Sequence, residues 1–392
     1  MKRRIPELDG LRVWMIFVVS WYHIWQQSWL RPAIGAWSLD FLVRSGYVWV
    51  DGTVLLSAFL LYLPYARADR GTGVEPDFRD FYRRRARRIL PSYYFILLLV
   101  FFGIALPWGL YTDGPYLVKD LATHFTFTFP FFYDTLVATP LGAASWTLAM
   151  EVQAYVLFPL IARAVRKRPV MTLSVMLLVC FGFRAWCLWA LTDYTMVVNQ
   201  LLNFLDVYCL GILTAMLYAR LEENSATQAE KKKRLLSEIV FTALFALCVF
   251  ALERMLRVQA AFPDYVRIQA HQMMYRPVFG LCFAGLVLSC SRTVKPLRFL
   301  LGNPVTRFLA GISMNYYLIH QTVILHMKRL HFPPSLSETP NTAGEQPWQN
   351  QYTFWAFALS LAAAVLITYL VEKPAGRLLD RKRSSPASSS SG

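Results

Sequence analysis

Charge is sparse in this sequence. Only 16% of its 392 residues are Asp, Glu, Lys or Arg, against roughly 25% in a soluble chain. The water-facing surface of two soluble domains would need more, so that organisation is excluded. Acidic residues are the scarcer sign, 24 against 40 Lys and Arg, for a net charge of +16. Cysteine is infrequent as well. Cys180, Cys187, Cys209, Cys248, Cys282 and Cys290 all lie in or at the end of apolar runs, and none is paired as CxxC. Neither a disulfide frame nor a metal site is signalled. Internal repeats and a polar domain are missing too. No cleavable leader is expected. Met1–Arg4 has the charge of one, but the apolar run after Leu11 contains His23 and lacks a small-residue cleavage site.

Apolar residues are what the chain does have. They make up 56% of it, with a mean hydropathy of +0.37. A bilayer core of ~30 Å needs about 20 apolar residues of helix. Runs of that length lie at 11–30, 46–66, 90–108, 145–165, 170–191, 199–220, 236–253, 272–291, 307–327 and 352–371. The expected fold is an all-α polytopic bundle of about ten spans in the cell membrane. One transmembrane domain would cover 1–380, with a disordered basic and Ser-rich tail over 381–392. The longest pieces outside the membrane would be 109–144 and 328–351.

The positive charge sits at span boundaries. A soluble chain this basic would suggest nucleic acid; here the implied partner is the bilayer, and no nucleic acid is expected. With a cytoplasmic N-terminus, the inner loops hold most of the Lys and Arg, above all the Arg run within 67–88. The outer loops hold scattered cations such as Arg31, Arg44, Lys119 and Lys328. Both termini are therefore expected inside.

Ionisable groups within spans are costly and mark candidate sites. The first span carries Ser20, His23 and Gln27 on one face, and the second Asp51 and Ser57. The fourth carries Thr147, Glu151 and Tyr155 at i, i+4 and i+8. Arg184 lies in the fifth, Asn203 and Asp206 in the sixth, Arg276 in the eighth, and Tyr317 and His320 in the ninth. At ~1.5 Å per residue, His23 and His320 lie about 18 and 20 Å above their cytoplasmic ends, and Glu151 about 9 Å below its outer end. These depths nearly coincide. They predict a polar cavity open to the outside, floored by His23 and Glu151 and supported by Asp51, Ser57, Tyr155, Arg184, Asp206, Arg276 and His320. Single polar residues can instead glue helices together.

Arg83, Arg84, Arg85, Arg87 and Arg88 mark the inner entrance of the third span. Arg85 and Arg88 are spaced i, i+3, which suits a phosphate-rich ligand. Topology alone, or anionic lipid, also accounts for such a run.

These segments together resemble the acyltransferase 3 family of membrane acyltransferases. RIPELDGLR followed by His23 resembles its opening, FYRRRARRILPSYY its Arg-x-x-Arg element, and YVWVDGTVLLSAFLL its Val-Asp-containing second span. SWTLAMEVQAYVLFPL resembles its Glu-x-Gln-x-Tyr segment; NYYLIH and VEKP resemble its closing signatures. Trp49 and Ala58 stand where the family often has Gly, and Ala154 replaces a usual aromatic.

The resemblance implies acyl transfer, usually of acetyl, from a coenzyme A thioester to a carbohydrate hydroxyl. It implies a catalytic His23, with Arg85 and Arg88 serving acyl-CoA as donor substrate. No permanently bound cofactor is expected. On that reading neutral His23 takes the hydroxyl proton. Glu151 would orient the imidazole as a triad acid does. Transfer would be direct, without an acyl-enzyme, to an extracytoplasmic glycan. The family often carries a C-terminal SGNH-type hydrolase domain; none is expected here, and a separate extracytoplasmic partner protein would then supply it. The competing readings are a transporter or flippase, or a sensory or scaffold protein with a degenerate site.

Overall fold

A computed structural model describes residues 4–142, 145–226 and 231–384. A backbone in hydrocarbon must satisfy its own hydrogen bonds, so the apolar runs fold as helices. Every expected span has one. The first half comprises α1 (Glu7–Ser28), the short α2 (Asp40–Arg44), α3 (Trp49–Ala68), α4 (Phe78–Val100), α5 (Gly114–Phe125), α6 (Tyr133–Val137) and α7 (Trp146–Lys167). The second comprises α8 (Pro169–Ala190), α9 (Leu205–Ala226), α10 (Lys231–Ala260), α11 (Tyr265–Ser289), α12 (Lys295–Gly302), α13 (Pro304–Arg329), α14 (Trp348–Ile367) and α15 (Lys373–Ser384). Among the described residues the one sheet is a hairpin of two-residue strands after α1.

Among the described residues, eight helical segments are long and apolar enough to cross a membrane. α1 and α13 are as long, at 22 and 26 residues, but more polar. They pack on each other, and α3, α4, α12 and α14 pack around them. A helix lined by protein needs no apolar perimeter, so the two helices that carry His23 and His320 can be the least hydrophobic. The chain is an all-α multi-pass membrane protein.

The span ends differ from hydropathy where charge continues a helix. The third span is expected from residue 90, yet α4 starts at Phe78. The Asp77 carboxylate accepts from the Asp80 amide at 2.9 Å and caps it. The Arg run is therefore helical rather than a preceding loop, and a π-helical turn over Phe101–Ala105 extends the far end. α15 likewise runs into the expected tail as far as Ser384; residues 385–392 lie outside the described residues.

Two glycines set close approaches. A Cβ on Gly10 would lie 2.3 Å from the Leu301 carbonyl oxygen, so α12 packs directly on α1. A Cβ on Gly211 would lie 2.6 Å from that of Ala58 and 2.7 Å from the Leu55 carbonyl oxygen. The methyl at position 58 is thus accommodated by its absence at 211. Gly211→Ala is expected to destabilise the protein by about 1–3 kcal/mol through overpacking. Thermal denaturation in detergent checks this, and adding Ala58→Gly should recover part of the loss.

The segment after α4 folds as a small cap. Its buried Asp120 accepts from the Tyr111 hydroxyl at 3.0 Å and from Thr139 at 2.9 Å. Burial, with Asp120 alongside, pushes the Tyr111 hydroxyl above its ordinary range. His124 stacks on Phe129, and its carbonyl accepts from the Tyr93 hydroxyl of α4 at 2.9 Å, which ties cap to bundle.

Candidate active site

A cavity of about 1200 Å³ is enclosed by α1, α3, α4, α7 and α13. Arg84, Arg85 and Arg88 line its mouth, with Arg4 and the α3–α4 loop. Ser57, Thr147, Glu151, Tyr155 and Tyr317 line its deep end. The helical start of α4 puts Arg85 and Arg88 on one face, as their spacing predicts. Arg88 is exposed, whereas Arg85 turns inward. The Arg85 guanidinium lies 5.7 Å from the Phe81 ring and 5.5 Å from the Tyr155 ring. Its buried Nε has no hydrogen-bond partner among the described residues. Below it, the Tyr155 hydroxyl donates to Glu151 Oε2 at 2.8 Å and lies 3.4 Å from Ser57 Oγ.

This cavity opens at the basic end. The expected outward opening, with both ions and histidines on one wall, is not what these residues form. Asp51, Arg184, Asp206 and Arg276 instead make a closed network among α3, α8, α9 and α11. Arg184 donates to Asp206 Oδ1 at 2.7 Å and to the Asn203 side-chain oxygen at 2.7 Å. Arg276 donates to the Asn203 carbonyl at 3.0 Å, and its Nε lies 3.2 Å from Asp51 Oδ1. Its guanidinium sits 4.0 Å from the Phe204 ring centre. Two cations and two carboxylates balance, and all four are buried. Sequence spacing gives each residue's depth but not which neighbour its helix turns it toward. Four charges at one depth can line a cavity or neutralise one another, and here they do the second.

The predicted match in depth between the first and ninth spans holds. The His23 and His320 rings lie 5.3 Å apart. His23 Nδ1 is 2.9 Å from Gln26 Oε1, while the Gln26 amide nitrogen donates to the Tyr22 hydroxyl at 2.9 Å. With the Gln26 oxygen as acceptor, the His23 proton sits on Nδ1 and the lone pair on Nε2. His23 and Glu151 share no hydrogen bond or ion pair among the described residues. Gln26 occupies the orienting place expected of Glu151, because three residues along α1 lies on the same face. His23 is not on the wall of the 1200 Å³ cavity. The link between them is Tyr317, whose ring is 5.4 Å from His320 and whose hydroxyl accepts from Thr147 Oγ1 at 2.7 Å.

The closing signatures meet. Asn315 donates to Glu372 Oε2 and to Thr368 Oγ1, each at 2.7 Å, which ties the π-helical turn Thr368–Glu372 to α13. Arg12 and Gln26 escaped the sequence reading. Arg12 lines the cavity, and its signal is periodic: eleven residues before His23 is three helical turns, hence the same face of α1. Gln26 is polar but unremarkable without its neighbours.

Residues 5–373 match the acyltransferase domain of the acyltransferase 3 family. A 170-residue stretch is 30% identical to the putative peptidoglycan O-acetyltransferase YrhL of Bacillus subtilis (strain 168), covering 40% of this chain and 24% of that protein. A 173-residue stretch is 31% identical to the acyltransferase MdmB of Streptomyces mycarofaciens, covering 43% of this chain and 41% of that one. Each match spans less than half of the relative's length. No solved structure matches. With a match running nearly end to end, and with its motif residues at the cavity and across the α13–α14 contact, the chain belongs to the acyltransferase 3 family.

Proposed function

We propose that this protein is a membrane O-acyltransferase that moves an acetyl group from acetyl-coenzyme A to a hydroxyl of an extracytoplasmic glycan. The observation that carries the reading is one continuous cavity joining the Arg84, Arg85 and Arg88 mouth to Tyr317, beside the histidine pair. Coenzyme A is multiply anionic and carries its thioester on a long arm. Guanidinium groups bind phosphate oxygens bidentately, and a basic end facing the cytoplasm would meet the donor there. The arm would lie along Leu56, Leu60 and Leu148 toward Tyr155 and Tyr317. His23 would take the acceptor proton as the hydroxyl oxygen attacks the thioester carbonyl. A glycan acceptor fits the peptidoglycan named for the Bacillus relative.

The test uses the full chain in liposomes with labelled acetyl-coenzyme A and a glycan acceptor. Arg85→Ala with Arg88→Ala is expected to raise the donor KM about 10-fold or more, as the loss of charged hydrogen bonds implies. The acceptor KM should stay near its original value. An unchanged donor KM would return both arginines to a topological role. Glycan movement without the donor, and with no ester formed, would favour a transporter.

A further inference from the structure

His320 is fully buried beside the proposed base. Its Nδ1 lies 2.6 Å from the Tyr317 carbonyl oxygen. A carbonyl only accepts, so Nδ1 carries the proton of the neutral ring and Nε2 the lone pair. That Nε2 has no partner among the described residues. His124 and His326 also have an Nε2 without a partner among the described residues; what sets His320 apart is the second imidazole beside it. His23 is in the same state, with Nδ1 held by Gln26 and Nε2 bearing the lone pair.

Two neutral imidazoles that both present a lone pair cannot hydrogen-bond through those atoms. One added proton changes this. The ring centres are 5.3 Å apart with their planes tilted by 49°, so the rings do not yet share a hydrogen bond, and a turn of either ring brings one N–H···N bond of about 3 Å within reach. The titratable side chains against the pair are the hydroxyls of Tyr22, Tyr316 and Tyr317. A phenol is uncharged near neutral pH. Neither ring is hydrogen-bonded to a carboxylate among the described residues. The arrangement lacks a fixed anion to stabilise an imidazolium, and the second imidazole can take that part.

Resting on the acyl-transfer reading, we propose that His320 acts through His23 as a proton-sharing partner, so that the pair takes one proton from the acceptor hydroxyl and returns it to the departing sulfur. The hydroxyl O–H breaks, its proton goes to His23 Nε2, and the oxygen bonds to the thioester carbonyl carbon. The C–S bond breaks and the sulfur leaves with the electron pair. The proton shared by the two rings then goes to that sulfur, giving ester and free thiol. Tyr317, between His320 and the cavity, marks the side from which the sulfur leaves.

The test measures kcat, both KM values and the pH–rate profile for wild type, His320→Gln, His320→Asn and His23→Ala. With the proposal correct, the two His320 variants lose about 10²-fold in kcat, the lower end of the range for acid–base groups. Donor and acceptor KM stay near wild type, and the acidic limb of the profile moves. A packing role alone would leave that limb in place. Wild-type kcat and profile in both His320 variants, with His23→Ala inactive, would overturn the proposal and leave acyl transfer standing. Full activity in His23→Ala would overturn acyl transfer through His23 itself. Should the His320 variants not accumulate, nitrogen-15 histidine titration of the wild-type protein decides. Uptake of protons by the pair in two coupled steps supports sharing, and two independent titrations overturn it.

Discussion

His23→Ala is expected to lower kcat by about 10²–10⁴-fold while the protein still accumulates in the membrane. The two halves of that expectation have separate causes. Removing the imidazole removes the group proposed to take the hydroxyl proton, and Gln26, an amide, cannot replace it. Folding should survive because His23 is only partly buried and its side chain hydrogen-bonds to Gln26, three residues away on the same helix. No ion is left without its partner. His23→Gln would keep a polar side chain at the site and should be as inactive. The measurement is acetyl transfer per mole of folded protein, with folding followed by monodispersity in detergent. Undiminished transfer in His23→Ala would remove the central chemical claim.

Asp206→Ala is expected to act in the opposite way, by loss of folded protein. Arg184 would keep its two bonds to Asn203 but lose its carboxylate. Breaking a buried ion pair from one side costs about 3–5 kcal/mol because an uncompensated charge remains. That is a large fraction of the roughly 5–15 kcal/mol of net stability a folded protein has. The network joins α8 and α9 through Arg184, and α3 and α11 through the Asp51–Arg276 contact, so the loss should be felt across the bundle. Low yield and a lowered Tm, with near-normal activity per folded molecule, are the expected readouts. A stable Asp206→Ala protein with kcat reduced would instead bring the network into the chemistry.

The contrast between these two variants shows where sequence reading reaches its limit. His23 and Asp206 are both ionisable residues at similar depth in apolar runs, and the cost of burial flags both. Periodicity recovers more: Arg85 with Arg88, and Glu151 with Tyr155, lie on one face of a helix because i, i+3 and i, i+4 always do. It would also have recovered Arg12, three turns before His23. The same period sets Gln26 beside His23 on α1, but it does not show that Glu151 stays away from His23, since that depends on how α1 and α7 are turned about their own axes. The start of α4 at Phe78 was hidden for a different reason. Hydropathy records where apolar side chains begin, whereas a helix begins where its amides are capped, here at Asp77.

The sequence by itself determined the class, the spans, the polar residues worth attention and the basic end, because hydropathy, period and charge are local properties of the chain. Tertiary structure alone decided that Arg85, Tyr155 and Glu151 share a cavity opening at that basic end. It alone decided that Asp51, Arg184, Asp206 and Arg276 neutralise one another, and that His23 faces His320. The reason is geometric. A span's sequence sets how deep each side chain lies, but its neighbour is chosen by the rotation of the helix about its axis. That rotation is settled by packing such as Gly10 against Leu301 and Gly211 against Ala58.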